Sequence, residues 1–263
     1  MLGPTHSNVQ NFFHFDADNV GDQLCGPANY FPDLRATKRN FSSYDKLAAN
    51  LLLGGGLVFN QVSRLSAIAT SSGEACKLVC WGAGVPPRGV RDREVRDVAK
   101  RFSLFGTRNY DWADQFDFVP CVSCMSPVFD YVPEPSHEIV IFAHRRKTPD
   151  LLVPKGIPFK TNTGQSAQEA IGFIASGKTV VTSSYHGVYW AQLLGRKVVC
   201  IPFNNKFETF EHSPFFASSQ NWMHKLDQAS KTEPLLSQYR EINKSFFERV
   251  LNILNFDKKD SQL

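Results

Sequence analysis

Short runs of β-branched and aliphatic residues alternate with stretches of helical periodicity along nearly the whole chain. That is the pattern of a parallel sheet whose strands are joined by crossover helices, and all-β and all-α architectures both fit it badly. In the first half, strands are expected at 9–15, 51–53, 77–81, 103–107 and 116–122. A polar turn from Asp16 to Asp22 leads into a helix from Gln23, the strand at 51–53 runs into Gly54-Gly55-Gly56 and a periodic segment through Ser72, and 91–102 reads as a charged helix. In the second half, 137–143, 157–161, 178–182 and 198–203 read as strands. Ser166 and Glu169 form a capping box that opens a helix over 167–176, with Gly177 placed to end it. A second helix spans 185–194 and closes on Gly195. The last, 234–255, carries an apolar stripe of Leu235, Leu236, Tyr239, Ile242, Phe246, Val250 and Ile253. Three prolines between Pro127 and Pro135 interrupt both helix and ladder. The boundary expected there gives two small Rossmann-type α/β domains, 1–130 and 136–263, the second ending in the long helix.

Composition narrows the function classes. At 263 residues, with 42% hydrophobic and 21% charged side chains, the chain can bury a core without staples. Its six cysteines are therefore expected as free thiols rather than a disulfide framework. Lys plus Arg is 29 against 25 Asp plus Glu, a net charge of +4 that is too slight for a nucleic-acid footprint but leaves small anions as ligands. No apolar run approaches the roughly 20 residues of a membrane helix, and the start MLGPTHSNVQ lacks the pattern of a signal peptide. A soluble, cytoplasmic protein is the expectation.

Four formal motif matches carry no chemistry in their context. Gly172 to Thr179 satisfies the P-loop pattern, but its first glycine falls inside a helix and its GKT runs into a strand, the reverse of a phosphate cradle. Asp16-Ala-Asp18 resembles a metal-holding D-x-D, yet Asp and Asn crowd this loop because they favour turns and caps. Cys121 and Cys124 have zinc-compatible spacing without a second ligand pair, so buried free cysteines and no metal are expected. Asn40-Phe-Ser42 and Asn243-Lys-Ser245 are chance glycosylation acceptors in a chain without an export signal.

Ligands of open α/β sheets bind at the carboxyl ends of strands, and four loops there draw attention. Asn19, Gly21 and Asp22 follow the first strand; Gly21 permits close backbone approach and Asp22 can cap the next helix. Gly54, Gly55 and Gly56 follow the second, offering backbone without Cβ atoms at a helix start. His144, Arg145, Arg146 and Lys147 put cations at the end of the strand HEIVIFA. Thr182, Ser183, Ser184, Tyr185, His186 and Gly187 lie between a buried strand and a helix, where hydroxyls, imidazole and amides make the parts of an anion site that moves protons. By spacing alone, His186 serves equally well as a helix-capping or core histidine.

With NVGDQL at 19–24, LLLGGG at 51–56, LFGTRNYD at 104–111, FVPCVSCMSP at 118–127 and VVTSSYHGVYWAQLLGRKVVCIPFNNK at 180–206, the chain resembles the polysaccharide pyruvyl transferase family. These enzymes place pyruvate ketals on bacterial cell-surface glycans. The resemblance implies a GT-B-like fold, two Rossmann-type halves facing a cleft, with phosphoenolpyruvate as donor and no cofactor. The acceptor it implies is a sugar diol of a glycan or lipid-linked precursor, with peripheral contact at the inner face of a membrane if the acceptor is lipid-borne. Residue by residue, the family's arginine falls on Arg108, its histidine triplet on Ser184-Tyr185-His186 and its downstream lysine on Lys206. Ser184 and Tyr185 stand where some members carry arginine and leucine, a lost cation that Arg145 or Arg146 can replace. The second-motif loop PCVSCMSP has cysteine and serine where many members carry Asp-Pro, so it supplies no catalytic carboxylate.

Those assignments are chemically sensible. Arg108 and Lys206 would neutralise the donor's phosphate and carboxylate, and His186 would act as general acid or base; His144 and Arg145 join the donor side on the strand-end argument. Two other readings stand beside this one. A GT-B glycosyltransferase using a nucleotide sugar would stack a base on Phe203 or Tyr185, and a glycan-binding protein would keep the cleft without the chemistry. Cations near His186 favour phosphoenolpyruvate; a carboxylate at the strand ends favours a ribose.

Overall fold

The computed structural model describes residues 9–42, 50–56, 58–71, 76–148 and 150–254. Ser72, Asn255 and the tail after it lie outside the described residues. Two parallel sheets organise the chain. The first takes β1 (Val9–Phe13), β2 (Thr37–Asn40), β3 (Asn50–Gly54), β4 (Lys77–Ala83), β5 (Leu104–Thr107) and β6 (Asp117–Phe118), in the order β2-β1-β3-β4-β5-β6. The second takes β7 (His137–Ala143), β8 (Phe159–Thr161), β9 (Gly177–Thr182), β10 (Lys197–Cys200) and β11 (Phe215–Phe216), in the order β11-β10-β9-β7-β8. Every pairing is parallel. In each sheet the first strand lies between the second and third, which is the 2-1-3-4-5 winding of doubly wound α/β folds.

The helices are α1 (Val20–Gln23), α2 (Phe59–Ser71), α3 (Asp92–Ala99), α4 (Ala167–Ala175), α5 (Tyr185–Leu193) and α6 (Leu236–Leu254). Central strands are buried throughout: all five residues of β1 and of β3 are covered, the polar Gln10, Asn11 and Asn50 included, as expected of parallel strands packed on both faces. In the first sheet Phe12, Leu51, Leu53, Val62, Val95 and Trp112 share one core. In the second, Ile141, Val181, Val199, Ile201 and Trp222 share another.

The chain divides into two compact units, one of residues 1–15, 25–122 and 241–263, the other of Asp16–Leu24 and Ser123–Arg240. Where the sequence reading drew one boundary near 130, these units exchange segments. The loop 16–24 leaves the first strand to join the second unit. The long helix is shared between the two, because its two ends carry different cargo. Tyr239 donates to Glu211 (2.9 Å) and Arg240 to the carbonyls of Cys124 and Ser126 (2.9 and 3.0 Å), all in the second unit. Further along, Phe247 stacks on Phe31 at 4.4 Å and Phe246 meets Trp81 edge-on at 5.2 Å in the first. The buried line 235, 239, 243, 246, 250, 254 keeps helical spacing, with Asn243 as its one polar member.

Several expected elements are shorter or shifted. The helix expected from Gln23 starts earlier, at Val20, because the Asn19 side chain caps α1 by accepting from Gly21 N–H at 3.1 Å, and it ends at Gln23; Asp22 therefore sits in the first turn rather than capping. The strand expected at 116–122 shrinks to two residues. Gly177 does not end α4 in a left-handed turn: it opens β9, and a Cβ there would come within 2.5 Å of Val140. The capping box of Ser166 and Glu169 is present, with both reciprocal bonds made. β2 and β11 are strands that the sequence reading did not contain.

Candidate functional site

In a doubly wound sheet the ligand crevice opens where the winding reverses, at the carboxyl ends of the first and third strands. In the second unit these are β7 and β9. Thr182, the last residue of β9, fixes the turn that follows: its Oγ1 donates to the Phe142 carbonyl (2.5 Å) and accepts from Ser184 N–H (3.0 Å). Gly187 then lets α5 settle on the strands, since a Cβ would lie 2.1 Å from Thr182 Oγ1. Ser184 is the N-cap of α5 in an extended conformation, yet its hydroxyl makes no capping bond although the residue is only 4% exposed. A helix start of this kind presents the positive end of the helix dipole and a hydroxyl together.

Across the winding point, the loop after β7 closes on the same turn. His144 N–H donates to Ser183 Oγ (2.9 Å), Thr148 Oγ1 shares a hydrogen bond with Ser183 Oγ (2.6 Å), and Arg146 N–H donates to His144 Nδ1 (3.3 Å). Accepting at Nδ1 leaves Nε2 as the protonated nitrogen of neutral His144. Half-burial first, and then the charges of Lys206, Lys147 and Arg146, lower its pKa below the usual histidine value. The ring is also held edge-on to Phe203 at 5.4 Å. Lys206 lies in a 3₁₀ turn capped by Asn204 and places its ammonium 4.4 Å from the Phe203 ring centre and 5.1 Å from that of Phe207. Arg145 is exposed beside them, with its N–H bonded to Asn162 Oδ1 (3.0 Å).

The loop 16–24 completes the second unit's site. Val20 N–H donates to the Asn162 carbonyl (3.0 Å), Asn19 bridges to Thr163, and Asn19 Nδ2 donates to Asp22 Oδ2 (2.9 Å). Gly21 is so close to His186 that a Cβ would lie 2.1 Å from Nδ1. His186 is 7% exposed, in the first turn of α5, 5.2 Å from the Trp190 ring and 5.6 Å edge-on to Tyr185. Tyr185 belongs to a column of rings in which it stacks on Phe210 at 4.5 Å and Tyr189 at 6.4 Å, while Tyr189 stacks on Tyr239 at 5.9 Å.

The second unit thus brings together Asn19, Gly21, Asp22, His144, Arg145, Ser184, Tyr185, His186 and Lys206 from separate points in the sequence. Arg108, Gly54, Gly55 and Gly56 belong to the first unit. Arg108 is buried just after β5 and its N–H donates to the Ala83 carbonyl (3.3 Å). The three glycines end β3 beside β1, at the winding point of the first sheet. Gly55 and Gly56 have φ of 88° and 72°, and a Cβ on Gly56 would meet His14 at 3.2 Å. Asn162 and Thr148 are site-building residues that sequence reasoning missed. For Asn162 the signal was the Thr-Asn-Thr-Gly turn directly after a strand, where a buried Asn can satisfy several backbone groups at once. Cys121 and Cys124 are buried free thiols, with Cys121 Sγ 3.7 Å from Cys25 Sγ. Among the described residues, no helix is long and apolar enough to cross a membrane.

No family model matches the chain, and no curated protein does. Among solved structures it is similar to an uncharacterized protein from Klebsiella pneumoniae subsp. pneumoniae NTUH-K2044, at TM-score 0.49 and 16% identity over 81% of this chain and 93% of that one. It is also similar to a protein described as a UDP-N-acetylglucosamine 2-epimerase from Listeria monocytogenes, at TM-score 0.42 and 10% identity over 74% and 67% of the two chains.

Proposed function

We propose that the chain is a pyruvyl transferase that takes its pyruvyl group from phosphoenolpyruvate and delivers it to a sugar diol of a glycan or its lipid-linked precursor. The second unit holds the donor in this reading, and the first, with Arg108 and the glycines after β3, serves the acceptor side of a GT-B-like enzyme. The observation that carries it is the winding point between β7 and β9. There the uncapped start of α5 with the Ser184 hydroxyl stands with His144 and Lys206, and half-burial, followed by the charges of Lys206, Lys147 and Arg146, holds His144 towards its neutral form. This is a setting for a small, highly charged anion.

Ketal formation needs a proton at the donor's methylene carbon, attack of one sugar hydroxyl on C2, loss of phosphate and attack of the second hydroxyl. One of the two hydroxyl protons ends on the new methyl group and the other on phosphate. His186 is the group assigned to that proton traffic, because an imidazole can both accept and donate a proton. Ser184 and Lys206 would bind the phosphate that leaves, with Arg145 supplying the further charge.

The nucleotide-sugar reading requires a free aromatic face for the base, and neither expected ring offers one. Tyr185 is buried and stacked on Phe210, and Phe203 has the Lys206 ammonium over its ring. Buried Asp22, one residue from Gly21, is the feature that speaks for a ribose. Calorimetric titration of the purified protein with phosphoenolpyruvate and with a panel of nucleotide sugars separates the two. Phosphoenolpyruvate binding that is lost in Ser184→Asp and Lys206→Gln is the expected result. Binding of a nucleotide sugar alone overturns the donor assignment, and silence from both donors favours the glycan-binding reading.

A further inference from the structure

At the opposite, amino-terminal edge of the second sheet lies a cavity of about 330 Å³ lined by Pro135, Glu138, Lys178, Thr179, Gly195, Arg196, Lys197 and Lys231. The starts of β7, β9 and β10 meet there. Four of the lining side chains are cations and one is a carboxylate. Lys178 Nζ is paired with Glu138 at 2.5 Å in an exposed contact, while Arg196, Lys197 and Lys231 have no ion-pair partner among the described residues. Glu134 is a second acidic group that acts on Arg196 from outside the lining. The surplus remains positive after both carboxylates are counted.

Arg196 is the unusual member. It follows Gly195, whose φ of 62° and contact with Pro234 make the tight turn from α5 into β10, and its N–H donates to the Ala191 carbonyl (2.9 Å). The turn holds the guanidinium partly inside the protein, where Nε is buried and has no hydrogen-bond acceptor. Nε takes none of the carbonyls at the end of α5, so closing that helix end does not account for it. A buried donor without a partner costs about 1–3 kcal/mol, more when charged, and a bound ion is one of the few features that account for such a group. Thr179, 9% exposed, also lines the cavity and brings a hydroxyl to it.

We propose that this cavity is a second anion site, separate from the one after β7 and β9, and that it takes a phosphoryl dianion. Arg196 engages it through its guanidinium fork, Thr179 donates a hydroxyl, and Lys197 and Lys231 supply the balancing charge. Arginine matches the oxygens of a phosphoryl group through parallel N–H bonds, a geometry that a lysine ammonium does not offer. Free phosphate, pyrophosphate and a phosphate ester on a larger ligand share this chemistry.

Titration of the full chain with inorganic phosphate, pyrophosphate and glycerol 3-phosphate tests the proposal, in wild type and in Arg196→Gln, Lys231→Gln and Lys206→Gln. The expected result is a phosphoryl site whose affinity falls at least tenfold in Arg196→Gln and several-fold in Lys231→Gln and is kept in Lys206→Gln, which removes only the binding at the donor site after β7 and β9. Tighter binding of glycerol 3-phosphate than of phosphate identifies an ester as the occupant; the reverse identifies the free anion. If Arg196→Gln and Lys231→Gln both bind all three probes as wild type does, the proposal is wrong. Lys231→Gln lies outside the Gly195 turn, so it remains a fair test should Arg196→Gln disturb the fold.

Discussion

The backbone of Gly21 lies so close to the His186 ring that a single methyl group there would overlap Nδ1, at 2.1 Å. Two loops more than 160 residues apart in sequence are thereby locked into one site, and the imidazole's position depends on a residue that has no side chain.

Gly21→Ala should therefore displace His186 without unfolding the protein. The substituted residue is the second of a four-residue helix whose cap, Asn19, bonds its backbone N–H and so remains intact. The expected outcome is a loss of pyruvyl transfer of at least tenfold in a protein that still folds, destabilised by about 1–3 kcal/mol, read by a phosphate-release assay and urea denaturation. Near-normal turnover would detach His186 from the chemistry.

His144 should make donor binding depend on pH. Burial and the charges of Lys206, Lys147 and Arg146 depress its pKa in the free protein; an anion bound beside it favours the imidazolium and raises that pKa. Affinity should thus increase as pH falls from 7.5 towards 6, with net proton uptake on binding. Folding stability moves the other way. A histidine depressed below its unfolded value of about 6.5 contributes stability above that pH and loses it as pH falls through the folded pKa. Calorimetry in buffers of different ionisation enthalpy measures the uptake, and His144→Asn should abolish it. Equal uptake in that variant would assign the proton elsewhere.

Asn243 holds the first unit's aromatic core in register. Its Oδ1 accepts from Trp81 Nε1 at 2.8 Å and its Nδ2 donates to the Pro120 carbonyl at 3.2 Å, all fully buried or nearly so. Asn243→Leu leaves both groups buried without these bonds, so destabilisation of about 2–4 kcal/mol is expected in urea unfolding. Adding Trp81→Phe removes the orphaned donor and should show positive coupling in a double-mutant cycle.

Thiol reactivity should single out Cys76. It is half-buried, whereas the other five cysteines are buried; burial pushes the Cys80 thiol up to about 12 and that of Cys200 higher still. One fast equivalent of Ellman's reagent at pH 8, lost in Cys76→Ser, is the expected result. A second fast thiol in the native protein would mean that a sheet opens locally under those conditions.

Where local physics decides, the sequence was sufficient. β7 is read at its bounds from the apolar run Ile139 to Ala143 that follows His137 and Glu138, because the part of a strand covered on both faces is continuously apolar. The Ser166 and Glu169 box needs only residues three apart, so α4 was legible with its start. The same holds for α5, for α6 and for the reversed context of the P-loop match. The loops that carry His144, Ser184 and His186 were found because a strand followed by turn chemistry marks a carboxyl edge without knowledge of the partner strands.

Other features depend on contacts between distant segments. β2 (TKRN) has no apolar signal and β11 is a pair of phenylalanines too short to show a period; both exist because a neighbouring strand offers a ladder. Gly177 reads locally as a helix stop, and becomes the first residue of β9 because Val140 leaves no room for a Cβ. The strand order that sets the winding points, the exchange of 16–24 and of the end of α6 between units, and the part of Asn162 in joining three segments are likewise absent from any local window. Hydrophobic periodicity and capping act over three or four residues, and so fix elements; strand order, close approach and the burial of Arg196 are set by which elements meet, and only the tertiary structure decides that.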